Sequence, residues 1–376
     1  MMKKKKILFF IYQMGAGGAA RTLLNIVNKM DRDRFTPILV TLDYNGSYES
    51  YLEPDVKFIK LETKRLRSAI VPLSKVIRRE EADIVFSTIP NYNTIAILGT
   101  MLSQSGAKNV VREAAFLGGT PAADFKLKLY GLLYRRASRV IALSHGVKEN
   151  IVKRYKVKPG KIDVIYNPVD VETIQDLMKT ENMRPEHQQI FQKEDKVLIT
   201  AGRLVEDKDH HTLIRAFANL NKRLFNTRLA ILGEGELEQE LKQLAADLGV
   251  GDRVHFLGFQ ENPYVYFHHA DLFVLSSKRE GFGHVLAEAL ATGTPVVSTK
   301  SRPGAIEVLD HGEYGEMCEV GNERQLEEKM LKLLSMDQEN LRQIATKGIE
   351  RANEFHAEKI AKEYEEMFVK TSNRTK

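Results

Sequence analysis

Two carboxylates, Glu280 and Glu288, stand eight positions apart in "SSKREGFGHVLAEALATGTPVVS", residues 276–298, with the turn Gly281, Phe282, Gly283 between them. A glycine-flanked turn that opens a helix gathers backbone N–H groups and the positive end of the helix dipole, which suits an anion. A carboxylate accepts through two oxygens and suits the two donors of a sugar diol. Carboxylates on both sides of an anion-binding turn therefore fit a ligand with hydroxyl groups flanking a phosphate, the form of a nucleotide sugar. His284 directly follows the turn, and a donor-phosphate contact and a structural role both suit it.

Two further groups carry possible phosphate chemistry. In "LITAGRLVEDKDHHTLIRAF", Arg203 and Lys208 follow an apolar strand pattern. Beyond a strand end such a pair can hold a diphosphate, Arg through a fork of donors and Lys as a point charge; taken alone, both also read as solvated cations. In "ILFFIYQMGAGGAARTLLNIV", Gly15, Gly17 and Gly18 permit close backbone approach to a ligand or make a tight strand-to-helix turn. Arg21 stands where a dinucleotide fingerprint needs Gly or Ala, so nicotinamide binding loses support.

The elements that must position these residues alternate along the chain. Apolar, β-branched runs at 7–12, 36–42, 56–61, 83–88, 108–112 and 139–143 are separated by helical patterns, and the alternation resumes at 196–202, 228–232, 253–257, 271–275 and 295–298. This is the form of parallel βαβ units. The pattern predicts an α/β protein of two Rossmann-like, doubly wound domains facing across a cleft: residues 1–170, a linker at 171–195, residues 196–355, and a C-terminal helix at 356–376 that packs back toward the N-terminal domain. Open α/β sheets bind ligands beyond the carboxyl ends of their strands, so facing edges are the expected site.

Composition narrows the function classes. The chain of 376 residues holds one cysteine, Cys318, which cannot form an internal disulfide and reads as a buried thiol. No window reaches the roughly 20 apolar residues of a membrane span, and the leader-like "MMKKKKILFFIYQMGAGGAA" has too short an apolar stretch for a secretory signal and reads as a first strand. A cytoplasmic protein is expected. Residues 1–170 hold 29 Lys and Arg against 15 Asp and Glu, the remainder 27 against 35, so the N-terminal part is expected to face something anionic. No nucleic-acid motif accompanies that charge. Two basic segments with apolar stripes, residues 60–80 and 125–139, instead suit a helix lying on anionic lipid, on the cytoplasmic face of a membrane; ordinary crossover helices also fit.

The segments "GAGGAARTLLNI", "VIALSHGVKENIVKRY", "KIDVIYNPVD", "GRLVEDKDH", "AILGEGELEQEL" and "EGFGHVLAEALATGTPVVST", in this order over nearly the whole chain, resemble the retaining glycosyltransferases of family 4, with their E-x7-E motif and GT-B fold. The resemblance implies a metal-independent transfer of a sugar from a nucleotide sugar, UDP-linked rather than GDP-linked, to a glycan or lipid-linked acceptor in polysaccharide or glycoconjugate synthesis. It assigns Glu288 to the donor ribose, Glu280 to the transferred sugar with the N–H groups of Phe282 and Gly283 nearby, and Arg203 and Lys208 to the departing diphosphate. Gly17 and Gly18 match the N-terminal loop near phosphate and acceptor, and the region around Phe259 the base. Two departures stand out: Ala20 replaces a frequent Glu, and "VVREAAFLGG" lacks the acceptor-side histidine of many members, leaving Arg112 and Glu113 as the nearest polar residues.

Retention is compatible with front-face attack, in which the leaving phosphate takes the acceptor's proton, and with Glu280 as a nucleophile. Two other function classes fit the fold, an inactive GT-B-like binding subunit and a nucleotide-sugar epimerase. Asp31 to Asp33, "DRD", imitates a metal motif but follows a helix and reads as a solvated turn; His210, His211, His268 and His269 lack zinc spacing, and His145 reads as a helix cap.

Overall fold

The computed structural model describes residues 4–15, 18–180, 183–191 and 194–373. They divide into two compact units, Met1–Pro168 with Ala357–Lys376 and Val169–His356. Unit 1 holds strands β1 Lys5–Phe10, β2 Phe35–Thr41, β3 Lys57–Lys60, β4 Ile84–Thr88, β5 Lys108–Glu113, β6 Arg139–Ala142 and β7 Ile162–Val164. Its helices are α1 Gly18–Lys29, α2 Ile70–Arg79, α3 Pro90–Ser103, α4 Pro121–Tyr134 and α5 His145–Asn150. The strands pair in parallel in the order β3-β2-β1-β4-β5-β6-β7. The order reverses between β1 and β4, which makes that junction the topological switch point.

Period-2 alternation explains the two cores of this unit. In β1, Ile7 and Phe9 join one cluster with Leu23, Ile26 and Val27 of α1, while Leu8 and Phe10 join another with Leu73, Val76 and Ile77 of α2. A strand covered by helices on both faces must be apolar throughout, as "ILFF" is.

Unit 2 holds α6 Val171–Thr180, α7 Pro185–Gln188, β8 Lys196–Ala201, α8 His210–Arg223, β9 Thr227–Leu232, α9 Glu238–Asp247, β10 Val254–Gly258 and α10 Tyr264–His269. It continues with β11 Leu272–Leu275, α11 His284–Ala291, β12 Val296–Thr299, α12 Gly304–Val308, β13 Glu316–Cys318, α13 Glu323–Leu334 and α14 Gln338–Glu354. The sheet is parallel, in the order β10-β9-β8-β11-β12-β13, with its switch point between β8 and β11. The stretch expected as a linker, 171–195, thus contains two helices, and α6 packs on α10 and α11. Polar, Pro-containing sequence concealed that amphipathic helix.

The last helix, α15 Ala357–Ser372, belongs to unit 1. Its Ile360, Tyr364, Met367 and Phe368 share one face and enter the α1-side core, where the Phe368 ring lies 6.1 Å from that of Phe9 and 5.9 Å from that of Phe86. Buried Glu365 accepts from the Asp31 amide at 2.7 Å and pairs with Arg34 at 3.3 Å. Asp31 also accepts from the Asp33 amide at 2.8 Å, so "DRD" is a hydrogen-bonded turn. Ser144, rather than His145, caps α5, accepting from the Val147 amide at 3.2 Å.

Arg112 and Glu113, expected on the acceptor side, are both buried inside unit 1 and cannot touch an acceptor directly. They end β5 and alternate onto opposite faces. The Arg112 guanidinium donates to the Tyr364 hydroxyl at 3.1 Å, to Thr88 Oγ1 at 3.0 Å and to Asn167 Oδ1, which ties the sheet to α15. Glu113 Oε2 accepts from the Tyr134 hydroxyl at 3.0 Å and the Tyr155 hydroxyl at 2.8 Å. Among the described residues, no helix is long and apolar enough to cross a membrane.

Burial pushes the Glu113 carboxyl up from the ordinary 4.5 to about 7, with the two tyrosine hydrogen bonds offsetting part of the shift. Between those values the folded chain binds more protons than the unfolded chain, so this group's contribution to stability is lost as pH rises through the window. Glu113→Gln removes the titration, and its melting temperature relative to wild type should rise between about pH 5 and about pH 8; circular dichroism melts across that range, with a constant difference, would contradict the assignment.

Candidate functional site

In a parallel sheet every carboxyl end lies on one edge, and in unit 2 the two loops flanking the switch point carry the charged candidates. After β8 the chain runs through Gly202 and Arg203 into a single 3-10 turn, Glu206–Lys208, before α8. After β11 it runs through Ser276 to Gly283 into α11. Parallel pairing of Leu272 with Leu198 and Phe273 with Ile199 sets the two loops side by side.

The loops are laced together at several points. Lys208 Nζ lies 2.6 Å from Glu280 Oε1, the two side chains being 22% and 12% exposed. Ser277 Oγ donates to the same carboxylate oxygen at 2.7 Å, Ser276 Oγ donates to the Lys208 carbonyl at 2.9 Å, and the Lys278 amide donates to the Asp207 carbonyl at 2.8 Å. Lys278 pairs with Glu206, and Arg279 with Asp207 at 2.9 Å. The hydrogen bond to Glu206, with the neighbouring acids, holds the Lys278 ammonium above its usual range.

Arg203 is the exception. Its side chain is exposed and makes no hydrogen bond or ion pair among the described residues, which leaves all five donors for a ligand. His210, at the start of α8, is buried, and burial reinforced by the Lys208 charge pushes it down to about 4, so it is neutral at pH 7.

The glycine turn is built from its core side. Phe282 is buried, its ring 5.1 Å from Phe355 and 5.7 Å from the His284 ring, so Phe282 can offer a ligand only backbone. Gly283 has φ +85°, a left-handed conformation that turns the chain into α11. Glu280 forms a parallel bridge with Pro303, and the Gly304 amide donates to the Glu280 carbonyl at 3.0 Å. A Cβ on Gly304 would come within 2.3 Å of Phe282 Cα, so only glycine allows the two segments to approach. Glu288, on the first turns of α11, is buried, and Tyr264 donates to its Oε1 at 3.4 Å.

The structure therefore joins Lys208 to Glu280 and anchors Phe282 beside His284, with Gly281 in the same turn. Phe259 follows β10, with 58% of its surface exposed, and its amide donates to Glu234 Oε1 at 3.5 Å. Gly18 lies apart from these residues in sequence and belongs to unit 1; it opens α1, and its carbonyl accepts from Thr22 Oγ1 at 2.8 Å. Gly17 lies outside the described residues. Sequence reasoning missed Ser277, Tyr264 and Gly304. A serine three positions before Glu280 offers a weak turn signal; Tyr264, 24 positions from Glu288, offers none. Among the described residues, no group of three or more His, Cys, Asp or Glu is placed to hold a metal ion.

Known proteins share this organisation. Residues 16–173 match the family described as Glycosyltransferase Family 4, and residues 182–351 match Glycosyl transferases group 1. The N-acetylgalactosamine-N,N'-diacetylbacillosaminyl-diphospho-undecaprenol 4-alpha-N-acetylgalactosaminyltransferase of Campylobacter jejuni is 30% identical over 96% of this chain and 98% of its own. The N-acetyl-alpha-D-glucosaminyl L-malate synthase of Bacillus anthracis is 30% identical over 79% of this chain and 77% of its own. Among solved structures, HepE of Anabaena in complex with UDP superposes with a TM-score of 0.82 at 23% identity, over 97% of this chain and all of that one. With two parallel-sheet units and near-full-length matches on both, the chain belongs to the family 4 glycosyltransferases and has their two-domain GT-B architecture.

Proposed function

We propose that this protein transfers a sugar, with retention of configuration and without a metal ion, from a UDP-linked donor bound by unit 2 to a glycan or lipid-linked acceptor bound by unit 1. The observation that carries the reading is the Lys208–Glu280 pair set beside the unpaired Arg203 at one switch point. Departure of UDP leaves negative charge on the phosphate oxygens while the sugar carbon becomes cationic. Arg203, Lys208 and the N-terminus of α11 supply fixed positive potential where that charge develops, which is the work a divalent cation does in other enzymes. Phe282 and Gly283 add backbone donors, His284 borders the phosphates, Glu288 holds the ribose, and Phe259 flanks the base.

Glu280 is read as a positioning group for the transferred sugar. Its Oε1 already accepts from Lys208 and Ser277, which lowers its nucleophilicity and favours front-face attack. The UDP and UDP-glucose complexes of HepE support a UDP-linked donor, and the diphospho-undecaprenol in the name of the Campylobacter jejuni relative supports a lipid-linked acceptor.

Such an acceptor suits a protein resting on the cytoplasmic face of a membrane, and α4 supports that placement. Phe125, Leu129 and Leu132, at i, i+4 and i+7, are 64%, 49% and 55% exposed. Lys126, Lys128, Arg135 and Arg136 stand exposed around them. The other basic segment, 60–80, offers less, because Leu73, Val76 and Ile77 of α2 are spent on the core beneath it.

Arg203→Ala and Lys208→Ala should each lower turnover by about 10² to 10³; a loss below tenfold in both, measured with a UDP-sugar and a lipid-linked acceptor, contradicts the diphosphate assignment. Activity should be unchanged by EDTA. UDP at about a hundredfold excess over its Kd should stabilise the protein by ~2.7 kcal/mol, and the resulting thermal shift should vanish in Glu288→Ala. Replacement of Phe125, Leu129 and Leu132 by Ser should abolish co-flotation with phosphatidylglycerol vesicles, and persistence of binding would remove α4 from the membrane contact.

A further inference from the structure

Three tyrosines that no assigned role uses meet at the carboxyl edge of the unit 1 sheet. Tyr12 follows β1, Tyr44 follows β2, and Tyr92 lies in the first turn of α3 just after β4. The Tyr12 and Tyr44 rings have centroids 4.6 Å apart at 30°, and those of Tyr12 and Tyr92 are 5.9 Å apart at 17°. Tyr12 and Tyr92 thus straddle the switch point between β1 and β4, where an open α/β sheet receives its ligand. The three rings rest on the Leu8, Phe10 and Val40 core, and each keeps part of its surface exposed.

The surroundings decide what such a row of rings suits. Asn45 adjoins Tyr44 and Asn91 adjoins Tyr92; both are exposed. Asn45 Oδ1 accepts from Lys60 Nζ at 2.8 Å and Asn91 Oδ1 from the Tyr130 hydroxyl at 2.5 Å. Each side-chain oxygen is engaged, while neither Nδ2 group has a partner among the described residues. The Tyr44 hydroxyl donates to the Lys64 carbonyl at 3.3 Å, and the Lys64 ammonium lies 5.9 Å from the Tyr44 ring. A pyranose has an apolar C–H face and a rim of hydroxyl acceptors; the exposed part of the overlapping rings suits the first and the neighbouring carboxamide donors of Asn45 and Asn91 the second.

We propose that Tyr12, Tyr44 and Tyr92, with Asn45 and Asn91, form a subsite on unit 1 that binds a pyranose ring of the acceptor. The inference rests on the glycosyl-transfer reading and adds to it that the acceptor is recognised through a sugar ring as well as through any lipid or phosphate it carries.

Saturation-transfer NMR on the full chain, with methyl glycosides of hexoses and N-acetylhexosamines as probes, tests it. At least one glycoside should bind, with stronger saturation of one ring face. Tyr44→Leu and Tyr92→Leu should each weaken that binding by about fivefold to tenfold, while the thermal shift given by UDP stays at the wild-type value. Asn91→Ala, a surface change with little bearing on folding, should weaken it by about threefold or more. Absence of binding by every glycoside in the wild type, unchanged binding in the Leu and Ala variants, or displacement of the glycoside by uridine would overturn the proposal. A wild-type protein that binds a glycoside in this tyrosine-dependent way but shows no UDP shift would remove the donor reading and leave the subsite standing.

Discussion

An ammonium and a carboxylate 2.6 Å apart, both mostly withdrawn from water, hold the charged edge of unit 2 in shape. Removing either partner of such a pair leaves a poorly solvated charge, so each residue fixes the other. Because Lys208 ends the turn after β8 and Glu280 lies in the loop after β11, the pair spans the switch point of the sheet. The serine and backbone hydrogen bonds around it fix the same two loops, as do the ion pairs of Glu206 with Lys278 and of Asp207 with Arg279.

The same logic of paired burial runs through unit 1, with a different outcome. Consecutive charged residues at the end of β5 enter opposite cores. The guanidinium of Arg112 is met by neutral acceptors that include the hydroxyl of α15, and the carboxyl of Glu113 by two phenols. Buried polar groups persist where hydrogen bonds satisfy them. Arg112 therefore couples the last helix of the chain to the first sheet, together with Glu365 and the aromatic cluster around Phe368. Helices α2 and α4 show the complementary choice: the apolar stripe of one is consumed by the sheet, and that of the other faces solvent.

Much of this was legible in the chain itself. Runs such as "ILFF" and "LFVL" are apolar throughout because helices cover both faces of a parallel strand, and their alternation with amphipathic stretches implies two doubly wound units. The glycine turn at Gly281 to Gly283 and its flanking acids were equally visible, because glycine and carboxylate chemistry is local. The three-residue strands β7 and β13 escaped notice, since a strand that short carries no period, and α6 hid in sequence that reads as a connector.

Tertiary structure alone decided which polar residues are buried and which come together. Arg112 and Glu113 look like acceptor-side residues in sequence and are core residues in space, because strand position and helix cover, rather than residue type, set burial. Lys208 and Glu280 are 72 positions apart, Tyr264 and Glu288 24, and the adjoining rings of Tyr12, Tyr44 and Tyr92 come from two loops and the first turn of α3. Local pattern determines the strands, the helices and the turn, since each depends on neighbours within a few residues. Which loops meet depends on strand order in the sheet, a long-range property that no local window contains.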